Sequence, residues 1–488
     1  MNTLGIDLGA SALKAVLVDE HGRLVETSRR AIVTHHPQPL WAEQNPMDWW
    51  RALDDCLIDL AARAPAATRQ VAMVGISAGA HIAVLCDDAG KPLAPSLLWS
   101  DQRAHDEAAH IRQSGLDQTI AGNRAHATWS LPQLMWIATH HPDLWHSCRR
   151  IFFAKDWLRH RLTGDYLTDP GDACGSLMAD WRSAQWSQTL MQFLGQHRPQ
   201  LGEIVAPTQI AGSVRADLAE RWGLPDAVAV IVGSIDTSTE WYCFNSSHRL
   251  CTSIKLASAG VVACLEENAS PKPPLSLYPA LWHSAEHNLF YYAAGMNQCA
   301  SAFDWGKSVF AQGQDLSTLW AAIGEADAGT HNFYPYLMGE RAPLWKPDLS
   351  ASLVGLTRSS HSVSIMRAIT EGICFALREI YESYQGLNIS LAPPIYMIGG
   401  GARQNVWCQI LADCLGQPLL RPSQTDAAYG VARLAWTVLA PSQAISEDEH
   451  MTRFEPNPSA GMDARYHAWR QGRGALYPSL APSDTHLF

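Results

Sequence analysis

One pattern occurs twice in this chain, and it restricts the folds open to it more than any other feature. Residues 4–19 read as two apolar strands joined by the tiny turn Gly9-Ala10-Ser11, with Asp7 at the mouth of the hairpin. Residues 251–265 echo that form: a strand, the small-residue turn Ala257-Ser258-Ala259-Gly260, and a second strand. At 488 residues the chain is too long for one core. It is read as two large α/β domains, 1–245 and 246–488. Turns of small residues let backbone N–H groups close on an anion, and Asp7 stands where a carboxylate could hold a metal ion beside it. Polar-tipped hairpins also occur in sheets that bind nothing, so this motif alone leaves both readings open.

A second constraint lies near the midpoint. Ala229-Val230-Ile231-Val232 is a buried-strand signal; Gly233-Ser234 ends it, and Ile235-Asp236-Thr237-Ser238-Thr239 follows. Asp236, at the carboxyl end of that strand, is the first candidate for catalysis. Aspartate is also a frequent helix N-cap, and the stretch does not separate the two roles. Other strands deliver polar residues in the same way: 71–76 leads into Ser77-Ala78-Gly79-Ala80-His81, and 97–98 into Trp99-Ser100-Asp101-Gln102-Arg103. Polar groups gathered at several strand ends make a site.

Further on, the strand 395–398 enters Gly399-Gly400-Gly401-Ala402-Arg403-Gln404-Asn405 and then a helix over 406–415. Free N–H groups and the helix dipole there suit an anion or nucleotide. Neither a Rossmann GxGxxG nor a P-loop lysine is present. Glycines that only let strand and helix pack closely fit the same pattern.

Elsewhere, spacing predicts helices over 41–63, 106–141 with a break near Gly122-Asn123, 186–194, 296–310, 363–384 and 463–469. Residues 168–173 read as a turn-rich loop and 271–279 as a proline-rich one. A net charge of -11 without a concentrated basic run argues against nucleic acid as a partner. Eleven cysteines without a CxxC pair read as reduced, mostly buried thiols of a cytoplasmic protein. No basic leader and no bilayer-length apolar run is found, so no membrane partner is expected. The sequence leaves the assembly open, a homodimer included.

Five segments together resemble the FGGY carbohydrate kinases, and within them the xylulose kinases: the 7–14 hairpin, Trp99-x-Asp101-x-Arg103, the Asp236 loop, residues 334–343 (Tyr-Pro-Tyr-Leu-Met-Gly-Glu-Arg-Ala-Pro), and residues 399–413. The resemblance runs in order from residue 4 to about 440. It implies an actin/hexokinase-like fold, two ribonuclease-H-like domains flanking a catalytic cleft, with sugar held mainly by the first and ATP mainly by the second. Asp236 matches the catalytic base, and Asp7, with Asp236, the magnesium side of the site. His81, Asp101, Arg103 and Thr237 match sugar-contacting positions. Gly260, Gly400, Gly401 and Asn405 match nucleotide positions, with Ser11, Lys14 and Ser258 of the two hairpins beside them.

Departures from the family pattern bear on the acceptor. Xylulose kinases usually carry Ser-Gly-Gln-Met-His where this chain has Ser77-Ala78-Gly79-Ala80-His81, and Gly-Asp-Asn where it has Ile235-Asp236-Thr237. Ala10, Ala257 and Cys299-Ala300 replace the usual Thr, Gly and paired glycines, which a turn tolerates when φ stays negative. The expected reaction is phosphorylation of a terminal hydroxyl of a ketopentose, D-xylulose first. Another ketopentose, a pentitol or a modified sugar is the alternative acceptor, and a non-catalytic sugar or nucleotide sensor is the reading from a different class.

Overall fold

The computed structural model describes residues 1–247, 249–281, 288–346, 348–443 and 451–480. The first hairpin is β1 (Asn2–Leu8) and β2 (Ala12–Asp19), extended antiparallel by β3 (Leu24–Ala31). On the other side of β1, β4 (Val71–Ala78) runs parallel. Beyond it come β5 (Ile210–Ser213), β6 (Ala229–Ile231) and β7 (Ser234–Ile235), giving the order β5-β6-β4-β1-β2-β3 with β7 paired to the end of β4.

The second hairpin, β8 (Thr252–Leu256) and β9 (Gly260–Glu267), builds a like sheet with β10 (Ser276–Pro279), β11 (Leu289–Met296), β12 (Ile395–Ile398), β13 (Leu419–Arg421) and β14 (Thr452–Phe454). Its order is β10-β11-β9-β8-β12-β13-β14. In both sheets two successive antiparallel pairings run out from the first hairpin strand on one side and two successive parallel pairings on the other. That repeated order is the ribonuclease-H-like arrangement, and the two α/β domains form the actin/hexokinase-like fold expected from the sequence.

Helices cover both sheets and set the strand ends. Asn45 accepts from the Met47 N–H at 3.0 Å and starts α1 (Pro46–Arg63) just before its proline. After Phe153 the chain enters α2 (Ala154–Thr163), which carries Lys155. The segment 168–173 starts a helix rather than forming a loop: Asp169 accepts from the Gly171 and Asp172 N–H groups and caps α3 (Pro170–Gly175), so Asp-Pro here is a helix start and not a turn. α4 (Asp236–Tyr242) follows β7 directly.

The apolar stripe Ile365, Ile369, Ile373, Leu377 and Ile380 is buried on α5 (Ser362–Gly386), the central helix of the second domain. α6 (Asn405–Leu415) follows the glycine turn. α7 (Ala427–Leu439) comes from the second half of the sequence yet lies on the first sheet. Gly5 permits this approach, because a methyl there would come within 1.9 Å of the Ala428 carbonyl oxygen.

Other boundaries shift for identifiable reasons. β11 runs through Met296, so the following helix starts only at Ala300. The proline-rich segment ends in β10, an edge strand, where a missing proline N–H costs no ladder bond. Between 106 and 141 the helical run is interrupted from Ile120 to Trp129, and 186–194 holds only a short helix and a 3-10 turn. All eleven cysteines are buried, and none forms a disulfide. Among the described residues no helix is long and apolar enough to cross a membrane.

Candidate active site

A cavity of about 380 Å³ opens where the strand ends of the two sheets meet, and both halves line it. Gly79 and His81 enter after β4, Asp236 and Thr237 at the start of α4, Lys255 and Ser258 from the second hairpin. Gly233 makes the delivery of Asp236 possible. Its φ is +74°, and a methyl there would lie 1.9 Å from the Ile76 carbonyl oxygen. Asp236 is the first residue of α4, with Ile235 in the cap position, so the capping role weighed from the sequence does not describe it. Its Oδ1 accepts from the Thr237 N–H at 2.6 Å and the Thr237 hydroxyl at 3.2 Å. Oδ2 has no hydrogen-bond partner among the described residues, and Asp236 lines a cavity large enough for a sugar.

Charge is concentrated beside it. Asp7 accepts from the Ser77 hydroxyl at 3.0 Å, and burial, then the nearby Asp236 and Asp426, hold its carboxyl well above the usual range. Two lysines, one from each hairpin, pair with acids beside it. Lys14 of the first hairpin pairs with Asp426, at the cap of α7, at 2.5 Å. Lys255 of the second hairpin donates to both oxygens of Glu240, on α4, at 2.8 and 2.7 Å. Burial, with Lys255 opposing it, pushes Glu240 up to about 7.

Among the described residues no lysine pairs with Asp7 or Asp236. Such a surplus fits a divalent cation, and because no three metal-binding side chains converge among the described residues, the cation would complete its shell with phosphate and water. Magnesium binds in that manner, so the residues fit it.

The opposite wall is aromatic. His81 stacks on Trp129 at 5.0 Å between centroids, Trp129 on Tyr278 at 5.7 Å, Tyr278 on Tyr291 at 5.2 Å, and Tyr291 on Trp241 at 6.4 Å. The ladder crosses from the first domain to β10 and β11 of the second and back. Burial lowers His81 to about 4, so the stacked ring is neutral at pH 7. His81 has φ +48°, uncommon for a side-chain residue, and is held there by its N–H donating to Asp172 at 2.6 Å and its carbonyl accepting from the Ser130 hydroxyl. Asp172 belongs to a buried cluster in which Lys155 meets Asp156, Asp169 and Asp172 at 2.6, 2.8 and 2.9 Å, and Ser234 donates to Asp169. The cluster ties both strand ends of the pocket together from behind.

Comparison with known proteins decides what this cleft is. The N-terminal domain model of the FGGY family of carbohydrate kinases matches residues 2–243, and the C-terminal domain model matches 258–438. The chain belongs to this family of carbohydrate kinases. It is 29% identical to a xylulose kinase of Escherichia coli (strain K12) over 98% of this chain and 99% of that one, and 28% identical to a xylulose kinase of Lactococcus lactis over 96% and 95%. A solved "xyloylose kinase" from Brucella ovis superposes with a TM-score of 0.89 at 27% identity, over 98% of this chain and 99% of that chain.

Within this FGGY kinase the residues singled out from the sequence fall into two groups. Ser11 and Ser258 are exposed at the two turns, and Ala10 and Ala257 avoid left-handed backbone, the condition their methyl groups required. Gly401 packs tightly, a methyl there meeting Leu256 Cβ at 2.9 Å, and Gly260 faces Met296 at 2.9 Å. Gly400 opens onto free space, so of these three glycines it is the one a ligand can approach. Asn405 accepts from Arg421 at 2.7 Å and braces the start of α6.

Asp101 and Arg103 lie apart from the cavity lining. Arg103 bonds Asp101 and Glu43 at 2.8 and 2.7 Å and sits 3.7 Å over the Trp41 ring; both side chains are nearly inaccessible. Their loop instead presents Trp99 to the cavity. Sequence reasoning gave no role to Lys255, Glu240, Asp426, Tyr278 or Tyr291. Arg341 was quoted only as part of a motif, yet it lines the cavity with its buried Nε unpartnered.

Proposed function

We propose that this FGGY kinase transfers the γ-phosphoryl group of ATP to a terminal hydroxyl of a ketopentose, D-xylulose being the first acceptor to test, with Asp236 as the base. The supporting observation is Asp236 itself, which lines one cavity with an aromatic wall and the 257–259 turn and whose Oδ2 has no hydrogen-bond partner among the described residues. Phosphoryl transfer needs an acceptor oxygen in line, charge neutralisation and a place for the proton. Thr237 holds Asp236 through Oδ1, which leaves Oδ2 to receive the proton as the acceptor oxygen attacks.

The aromatic ladder packs the C–H face of the acceptor, and the two hairpin turns with Gly400 offer N–H groups to the phosphates. Asp7 and Asp236 would hold magnesium, which when bound neutralises phosphate charge. Closure of the cleft excludes water, the competing acceptor. In this reading residues 1–245 carry the sugar and 246–488 the nucleotide. The relatives named xylulose kinases support D-xylulose.

A second acceptor within the same reaction is favoured by Gly79. A methyl there would lie 3.5 Å from Ile82 Cδ1 and 3.9 Å from Trp99 Cδ1, so a longer side chain would extend into cavity space that this chain leaves open. ADP release with magnesium and ATP across ketopentoses, pentitols and hexuloses tests both. A strong D-xylulose response supports the first reading. Silence on D-xylulose with a response to another polyol supports the second, and hydrolysis that no sugar raises favours a sensor.

A further inference from the structure

Asp7 and Lys255 occupy the same place in the two hairpins. Ile6-Asp7-Leu8 ends β1 and Ile254-Lys255-Leu256 ends β8, each followed by its small-residue turn. One hairpin therefore brings an anion to the cleft and the other a cation. Lys255 lies beside Ile398 in the β8–β12 register, one residue before the glycine turn 399–401, so it stands between the turns of the second sheet. Its Nζ reaches across to both oxygens of Glu240, one helical turn beyond Asp236 on α4. It lines the cavity, while Ala257 and Ala259 of the adjoining turn bring no side-chain donor.

From the kinase reading, and resting on it, the geometry points to Lys255 as a catalytic cation that contacts the transferring phosphoryl group. Glu240 holds the ammonium ready at the base side of the cleft, and the flexible four-carbon stem lets it act as a point charge on the phosphoryl oxygens. Charge developing between Asp236 and the 257–260 turn is neutralised by Lys255 from the second domain, as Asp7 orders the opposite side from the first.

The test compares binding of ADP with binding of a non-hydrolysable β,γ-imido ATP analogue, by calorimetry with magnesium present. Lys255→Met is expected to weaken the analogue about tenfold relative to ADP, the loss of one charge-assisted contact to the terminal phosphate. Because that change leaves Glu240 without its cation, the double variant Glu240→Gln/Lys255→Met is measured beside it and is expected to show the same selective loss. Lys255→Arg should restore most of the preference. Equal losses for both nucleotides, or no loss, would overturn the proposal and leave Lys255 as a strut. A wild-type protein that binds neither nucleotide would instead overturn the kinase reading, and the proposal with it.

Discussion

The two hairpins share a backbone and differ in charge. Each presents a small-residue turn to the cleft, each follows an Ile-x-Leu strand end, and each has a lysine bonded to a carboxylate from the other half of the sequence: Lys14 to Asp426, Lys255 to Glu240. In the first hairpin the central position is Asp7, with Lys14 opposite it in register. In the second it is Lys255, opposite Val261. The proposed kinase reading uses that difference to hold a polyphosphate on one repeated frame. On the proposed reading the turns would supply similar N–H groups, and the single side chain between strand and turn would set whether that half handles the cation or the anion.

The strand cores differ as well. Gly5 of β1 admits the carbonyl of Ala428 from α7, while the corresponding position of β8 is the buried Ser253. The largest effect expected from breaking the comparison follows here. Gly5→Ala should destabilise the fold by about 3 kcal/mol, because its methyl meets backbone that cannot step aside, and thermal unfolding measures it. Unchanged stability would mean that α7 is not fixed on the first sheet.

Next in size, Asp7→Asn should lower magnesium-dependent turnover about 100-fold and raise the magnesium concentration needed for half-maximal rate, while ADP-binding enthalpy without magnesium stays the same. An unchanged magnesium requirement would remove Asp7 from the cation side. The smallest effect belongs to Lys14→Met. Its pair with Asp426 is partly exposed, so stability should fall by about 1 kcal/mol or less, read from denaturant midpoints. A loss several times larger would show that the two reciprocal pairs hold the halves together.

Much of this was legible because local pattern and chemistry coincide. The hairpins, Asp236 after a buried strand, the glycine turn after β12 and the stripe of α5 are all encoded within a few residues of one another. What stayed hidden depends on contacts between distant segments. Lys255 reads as an ordinary strand residue until Glu240 is placed against it, and Asp426 reads as a helix cap until Lys14 reaches it across 412 positions. The matched Ile-x-Leu frames were the one local signal that pointed to Lys255. Tyr278 was obscured by prolines that suggested a loop where an edge strand forms.

Asp101 and Arg103 illustrate the reverse. Polar residues after a short strand suggested the cavity, but pairing with Glu43 and stacking on Trp41 draw them into the interior. Lys155 has no legible role in the sequence, since its partners Asp169 and Asp172 lie at the cap and first turn of another helix.

Asp236 is the centre of the account, and one substitution addresses it most directly. In Asp236→Ala, acceptor-stimulated ADP release should fall by about 100- to 10,000-fold, the usual cost of removing a general base, while ADP and the β,γ-imido analogue still bind and thermal unfolding stays cooperative. Near-normal stimulation by the acceptor in a folded Asp236→Ala protein would contradict it.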